Sequence, residues 1–435
     1  MSSIPGSPCR KQVWDCLPGE IRLMILKILI QDGCKLAHLA TVSQEWQAEL
    51  ERHNFARIKL TPSRLADFSS MVHRNHALAD AVENLFSIVS AWDPKSDLIL
   101  EISIYSLSNS QHWFKYLTSL PDSPSQTIPT EGYDDAQHGW VAGFRHAAPP
   151  RRAFDKIFSG IMEQGPFRNY VSKFEWWDQL PSVPAVASLL LRQQNRRRWK
   201  PNTLTHMFAR LPRLQEIHYE PWGEWESEGM QMTEEESQYL FDFIRRFNIH
   251  LKRLVVFENL NQLYPAILQW FHLGVDTADV DSIRNPDPAV GRMVALASLQ
   301  LEHLGASFLV NASHFCAAIE PSWEPVEDAS DEIGVVLQAA AAMAMWMPRL
   351  ETMEIWNGRK GLAAVFQYQT LRNTQQATIT WRARWELNME RGLIRAWEAV
   401  EQLDISAIKS HGDAIPCLRL SSQVIRPVSL QQIQM

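Results

Sequence analysis

A few groups of residues have types and spacings suited to chemistry. His73 and His76 stand three apart, which puts two imidazoles on one helix face, but no Cys or acidic residue lies near them at metal-ligand spacing. They read as surface histidines. The stretch YEPWGEWESE (219–228) mixes Trp with Glu as a sugar-cleaving cleft does. Two carboxylates define such a site only through their separation, so a solvated loop with Trp222 tucked beneath it is the plainer reading. The basic cluster RQQNRRRWK (192–200) suits an acidic partner or nuclear import, but a charge run is usually a solvated helix face. Asn311-Ala-Ser is a glycosylation sequon that an intracellular protein would not use. There is no Gly-x-Gly-x-x-Gly, P-loop, Gly-x-Ser-x-Gly or His-Glu-x-x-His. No catalytic residue, metal ligand or cofactor is therefore assigned, and a non-enzyme is expected.

The bulk properties set the frame for these residues. A chain of 435 residues with 46% hydrophobic and 21% charged side chains can bury a substantial core. A net charge of −7 is too mild to point to nucleic acid as the partner. The five cysteines, at 9, 16, 34, 316 and 417, are odd in number and show no Cys-x-x-Cys spacing, which reads as reduced, buried thiols. The N-terminus has no apolar signal core, and the longest apolar run, Gly334 to Met347, is too short to cross a bilayer and reads as a buried helix. The expectation is a soluble protein of the cytoplasm, the nucleus or both, with no membrane partner.

The segment LPGEIRLMILKILI (17–30) has the punctuation of a helix, with Pro18 in the first turn and Glu20 near the positive end of the dipole. At 100° per residue, Leu17, Ile21, Met24 and Ile28 form one apolar stripe, widened by Ile25 and Leu29. Leu23, Leu26 and Ile30 form a second arc on roughly the opposite side. A surface helix of an isolated domain needs a single apolar face, so two arcs predict burial from two directions. Leu36, Leu39, Val42 and Trp46 then recur at helical spacing after a turn at Gly33. Residues 13–60 thus read as a small helical module with too little core of its own.

These residues resemble an F-box. The Leu17-Pro18-x-Glu20 opening, Ile25 and Leu29 one turn apart, and Val42 four residues before Trp46 match the family pattern. The connecting loop is about two residues longer than usual, and Phe55 stands where a Trp often closes the module. The resemblance covers about a tenth of the chain. It implies docking on the S-phase-kinase-associated adaptor, which links F-box proteins to the cullin scaffold of a cullin–RING ubiquitin ligase. The implied adaptor-binding set is Leu17, Pro18, Ile21, Met24, Ile25, Ile28, Leu29, Leu36, Val42 and Trp46.

Further along, apolar-x-x-apolar-x-apolar recurs as VSKFEWW, LQEIHYE, LKRLVVF, LASLQLE and LETMEIW, with starts 43, 37, 45 and 54 residues apart. Weaker copies lie at Ile99, Ile102 and Ile104, and at Val400, Leu403 and Ile405. THMFARLPRL and AAAMAMWMPRL each read as helix, Pro, strand. The expected fold is α/β: the helical module, then an irregular leucine-rich-repeat-like solenoid of short parallel strands and outer helices over 61–420. A Pro/Ser/Thr-rich loop insertion is expected near 107–152 and a loose tail over 421–435. Thr233 and Glu236 read as a capping box opening a helix. The segments QLPSVPAVASLLLRQQNRRRWKP, LPRLQEIHYEPW and MPRLETMEIWNG resemble a set of fungal F-box proteins with an uncharacterised C-terminal part.

In such a stack, alternate strand residues point away from the helices. That predicts a recognition row of Glu175, Trp177, His218, Glu220, Val255, Phe257, Gln300, Glu302, Glu354 and Trp356, facing an unknown protein target with a basic recognition segment. The reading is a substrate receptor of a ubiquitin ligase. The alternatives are an F-box scaffold without ligase function and an enzyme whose site the sequence does not reveal.

Overall fold

The structure is a computed structural model. It describes residues 17–31, 46, 55–60, 71–94, 97–102, 136–138, 140–141, 144–145, 160–162, 172–192, 198–223, 227–258, 286–307, 309–318, 332–359, 362–371, 376–383, 391–400 and 404–411.

Ten strands form one open sheet: β1 (Arg57–Leu60), β2 (Leu98–Ile102), β5 (Val186–Leu191), β6 (Glu216–Tyr219), β7 (Arg253–Phe257), β8 (His303–Ser307), β9 (Thr352–Arg359), β10 (Leu362–Leu371), β11 (Gln376–Ala383) and β12 (Asp404–His411). A separate two-stranded ladder joins β3 (Trp140–Val141) to β4 (Phe144–Arg145). The described helices are α1 (Gly19–Gln31), α2 (Met71–Val89), α3 (Lys173–Gln179), α4 (Pro201–Ala209), α5 (Ser227–Phe247), α6 (Pro288–Ser298), α7 (Ala312–Ala317), α8 (Glu332–Met345) and α9 (Arg391–Glu398). The fold is thus mixed α/β around a large open sheet.

In the main sheet each strand lies beside the one that precedes it in the chain, and β1 through β9 are all parallel. Because β-strand crossovers share one hand, a sheet that grows in one direction keeps its helices on one face. The burial pattern agrees. Leu100, Leu189, Ile217, Leu254, Leu304 and Met353 are in register across six strands, and all belong to one buried apolar cluster with helix residues such as Phe208, Phe241 and Val294. Local signals set the helix starts. Pro201 and Pro288 sit in first turns, and the Asp287 carboxylate accepts hydrogen bonds from the Ala289 and Val290 N–H groups.

Several expectations need correction. VSKFEWW is not a strand: Ser172 caps α3 through a capping box with Glu175, each accepting from the other's backbone N–H, at 3.3 and 2.8 Å. The cap dictates a helix where the apolar spacing alone suits either element. LASLQLE closes α6, and the strand follows at His303. The Thr233–Glu236 capping box does not form, because α5 already runs from Ser227. The stack is not parallel throughout: β9, β10 and β11 form an antiparallel meander with strands of 8, 10 and 8 residues. The apolar run VASLLL, not predicted as a strand, is β5, buried at all six positions. Within the expected insertion, the described residues form a 3-10 turn (Ala136–His138) and the small ladder. The tail 421–435 lies outside the described residues. Among the described residues no helix is long and apolar enough to cross a membrane. Cys316 is buried, and burial pushes its thiol up to about 12.

Candidate interaction surfaces

The α1 helix starts as its sequence dictates, with the Pro18 carbonyl accepting from the Ile21 and Arg22 N–H groups at 3.1 Å each. Its two arcs differ in the side chains that are described, with those of Leu23 and Ile30 outside the described residues. Leu26 is fully buried, whereas Ile21, Met24 and Ile28 are 41%, 57% and 53% exposed. Pro18 is exposed, and Leu17, Ile25 and Leu29 are half-buried. Trp46 is half-buried in helical backbone, while Leu36 and Val42 lie outside the described residues. Phe55 is exposed on one side and meets the Trp92 ring edge-on at 5.7 Å. The outer stripe read from the sequence is thus open in α1.

The second face of the sheet is a different surface. Strand register aligns Lys59, Glu101, Leu190, His218, Val255, Gly305, Glu354 and Gln367 across it. A neighbouring row holds Arg57, Ile99, Ser188, Glu216, Arg253, His303 and Thr352. The fully buried Glu101 carboxylate is surrounded by Arg57, which donates from Nε at 3.0 Å, by Lys59 at 3.2 Å and by Arg192 at 3.7 Å. Ser188 donates to Glu216 at 3.3 Å, Arg253 lies 3.6 Å from the same carboxylate, and Gln367 donates to Glu354 at 3.0 Å. Opposite charges meet across strands at distances that register alone sets.

Two histidines stand apart in this network. Both ring nitrogens of His218 and Nε2 of His303 are buried without a hydrogen-bond partner among the described residues. Burial, then the positive charge of Arg253, holds both imidazoles neutral, with pKa values of about 3. A histidine working as a general base is oriented by a hydrogen-bonded carboxylate, and among the described residues neither ring has one. Among the described residues there is also no cluster of three or more metal-ligating side chains.

The residues of the recognition row read from the sequence fall in different surroundings. His218, Val255, Phe257 and Glu354 do lie on the face turned away from the main core, as strand alternation requires. They are not open to a partner: His218, Phe257 and Glu354 are 1%, 4% and 4% exposed. Trp177 is fully buried in α3, where it packs edge-on against Phe86 at 6.1 Å and Trp176 at 4.9 Å. Glu175 is exposed but serves as a helix cap, and its hydrogen bonds to Ser172 lower its pKa. Glu220 and Glu302 are half-buried beside their strands, Gln300 is exposed after α6, and the Trp356 side chain lies outside the described residues. Glu101, Arg192, Glu216, Arg253 and His303 were missed. Each is one polar residue in or beside an apolar strand, and only register brings them together.

A family model described as a family of unknown function, DUF6546, matches residues 247–426, from the end of α5 past β12. No curated protein and no solved structure matches the chain.

Proposed function

We propose that the chain is a substrate receptor: α1 and its module dock on the S-phase-kinase-associated adaptor of a cullin–RING ubiquitin ligase, and the α/β region holds the protein to be modified. The observation that carries this reading is the exposure of Ile21, Met24 and Ile28 on a helix whose opposite side buries Leu26. Each of these side chains gains about 1.5–3 kcal/mol on full burial, and part of that offsets the cost of association. Chain-order strand pairing with helices on one face supports the solenoid-like reading of the rest. The receptor's contribution to ubiquitin transfer is proximity.

The test is co-expression of the full chain with the adaptor and cullin. A stoichiometric complex that assembles with the intact chain and is lost with Ile21→Asp/Ile28→Asp supports the proposal. An intact chain that leaves the adaptor unbound overturns it. A complex with the adaptor that excludes the cullin overturns the ligase role.

A further inference from the structure

The turns that lead from helix to strand repeat one geometry. The N–H groups of Leu214, Leu251, Leu301 and Leu350 donate to the carbonyls of Leu211, Asn248, Ser298 and Met347, three residues earlier, at 3.2, 2.9, 2.9 and 3.0 Å. Each of these four leucines is buried and pins its turn to the core. The two residues before it are therefore exposed or half-buried in every copy. Successive turns are joined, because the Lys252, Glu302 and Glu351 N–H groups donate to the Gln215, Lys252 and Glu302 carbonyls at 2.8 Å each. Since β6 to β9 are parallel, the turns make one continuous rim at the N-terminal ends of the strands.

Exposed apolar side chains collect on this rim. Phe247 and Ile249, at the α5–β7 turn, are 65% and 75% exposed, and Met345 and Trp346, at the α8–β9 turn, are also exposed. Phe55 before β1 and Ile88 at the end of α2 continue the series along the sheet. Outside α1, the other large apolar side chains exposed among the described residues are Met232 and Tyr239, in the body of α5. Scattered exposed apolar residues need no explanation, but a series confined to one rim marks a contact surface.

The charges between these side chains are mainly positive. The third residue of the four turns is Arg213, His250, Gln300 or Arg349, with no carboxylate among them. Arg245 and Arg246 share one counter-charge, Asp242, at 2.8 and 2.7 Å, and Lys252 is exposed. Arg213 lies 3.8 Å from Asp97, and carboxylates return two residues further on, at Glu302 and Glu351. Arginines in the last turn of a helix also answer the negative end of its dipole. That role gives no reason for Phe247 and Ile249 to stand in water.

We propose that this rim docks on an anionic lipid surface. Phe247, Ile249, Met345 and Trp346 enter the interfacial layer, where aromatic and aliphatic side chains are favoured, while Arg246 and Lys252 meet the headgroup phosphates. Charge complementarity selects an anionic surface. Projection selects lipid over protein: a side chain three-quarters exposed stands clear of its surroundings, and a fluid interface closes around it without a preformed socket. The contact lies on a bilayer and needs no span, so it departs from the sequence expectation of no membrane partner. It uses no residue of α1, and it goes beyond the receptor reading without resting on it.

The experiment sediments the full chain with vesicles of phosphatidylcholine, either alone or with about 30% phosphatidylserine. Binding is expected on the phosphatidylserine vesicles, about tenfold tighter than on phosphatidylcholine alone, and weakened in about 0.5 M salt. Phe247→Ser/Ile249→Ser and, separately, Arg246→Glu/Lys252→Glu are each expected to weaken it about tenfold with an unchanged circular dichroism spectrum. Met232→Ser/Tyr239→Ser, which removes exposed apolar side chains from the body of the same helix, is expected to bind as the wild type does. No binding to the phosphatidylserine vesicles, equal binding to both kinds, or wild-type binding by both rim variants overturns the proposal. So does equal weakening by the Met232/Tyr239 pair. Capture of a peptide alternating glutamate with leucine, without vesicle binding, assigns the rim to an acidic protein and likewise overturns it.

Discussion

Helices α1 and α8 have sequences of one kind, apolar on nearly every side, and opposite surroundings. In α8 and the turn after it, Leu337, Ala339, Ala340, Ala341, Met343, Ala344 and Met347 are all buried, and the large apolar side chains that surface among the described residues are Met345 and Trp346, at the end of the helix. In α1, Leu26 is buried while Ile21, Met24 and Ile28 face outward. An all-round apolar helix has to be covered from two directions. The difference teaches that α8 meets this demand within its own chain, whereas the outer arc of α1 remains open, which is the physical basis for assigning that arc to a partner.

Acid gives the largest expected effect, and it acts on the sheet to whose core α8 belongs while leaving α1, which has no histidine. His218 and His303 are held neutral with folded pKa values of about 3 against an ordinary 6.5. Between these values the unfolded chain binds more protons, so stability rises with pH there. It is complete above about pH 6.5 and is lost progressively as pH falls toward 3. The loss is on the order of several kcal/mol. Urea midpoints from pH 7 to 4 measure it, and His218→Leu should flatten the slope. An unaltered slope would remove the buried neutral histidine from the account.

Leu337→Ala in α8 should cost about 2–5 kcal/mol by urea titration, as expected for a fully packed leucine. In α1, Ile21→Asp/Ile28→Asp should weaken adaptor binding by about 2 kcal/mol, roughly thirtyfold, in a titration that leaves the urea midpoint nearly fixed. The smallest effect is the sharpest contrast: Ile28→Ala should change stability by no more than about 0.5 kcal/mol. A cost there as large as that of Leu337→Ala would mean that both helices are sealed alike, and the comparison would fail.

Much of this contrast was legible in the sequence. The two arcs of α1, the buried run of α8 and the strands around Ile217, Leu254 and Met353 follow from spacing alone. Caps and register carry the remainder. Ser172 and Glu175 turn an apolar triplet into a helix, and a start at Ser227 carries Glu236 past any capping role into the body of α5. Alternation places His218, Phe257 and Glu354 on the correct face of the sheet, but alternation reports direction and not cover, so their burial was invisible. The cluster around Glu101 joins it to Lys59, Arg57 and Arg192, 42 positions and more away in sequence, a relation that no local pattern encodes.

The most direct test of the central claim uses the methionines as reporters. Met24 in α1 and Met345 at the end of α8 are similarly exposed, at 57% and 56%, while Met343 and Met347 are buried. Mild peroxide treatment of the free chain, followed by mass spectrometry, should oxidise Met24 and Met345 and spare the buried pair. Added adaptor should protect Met24 and leave Met345 reactive. Equal oxidation of Met24 with and without the adaptor, or a Met24 already inert in the free chain, would contradict the assignment of the outer arc to a partner.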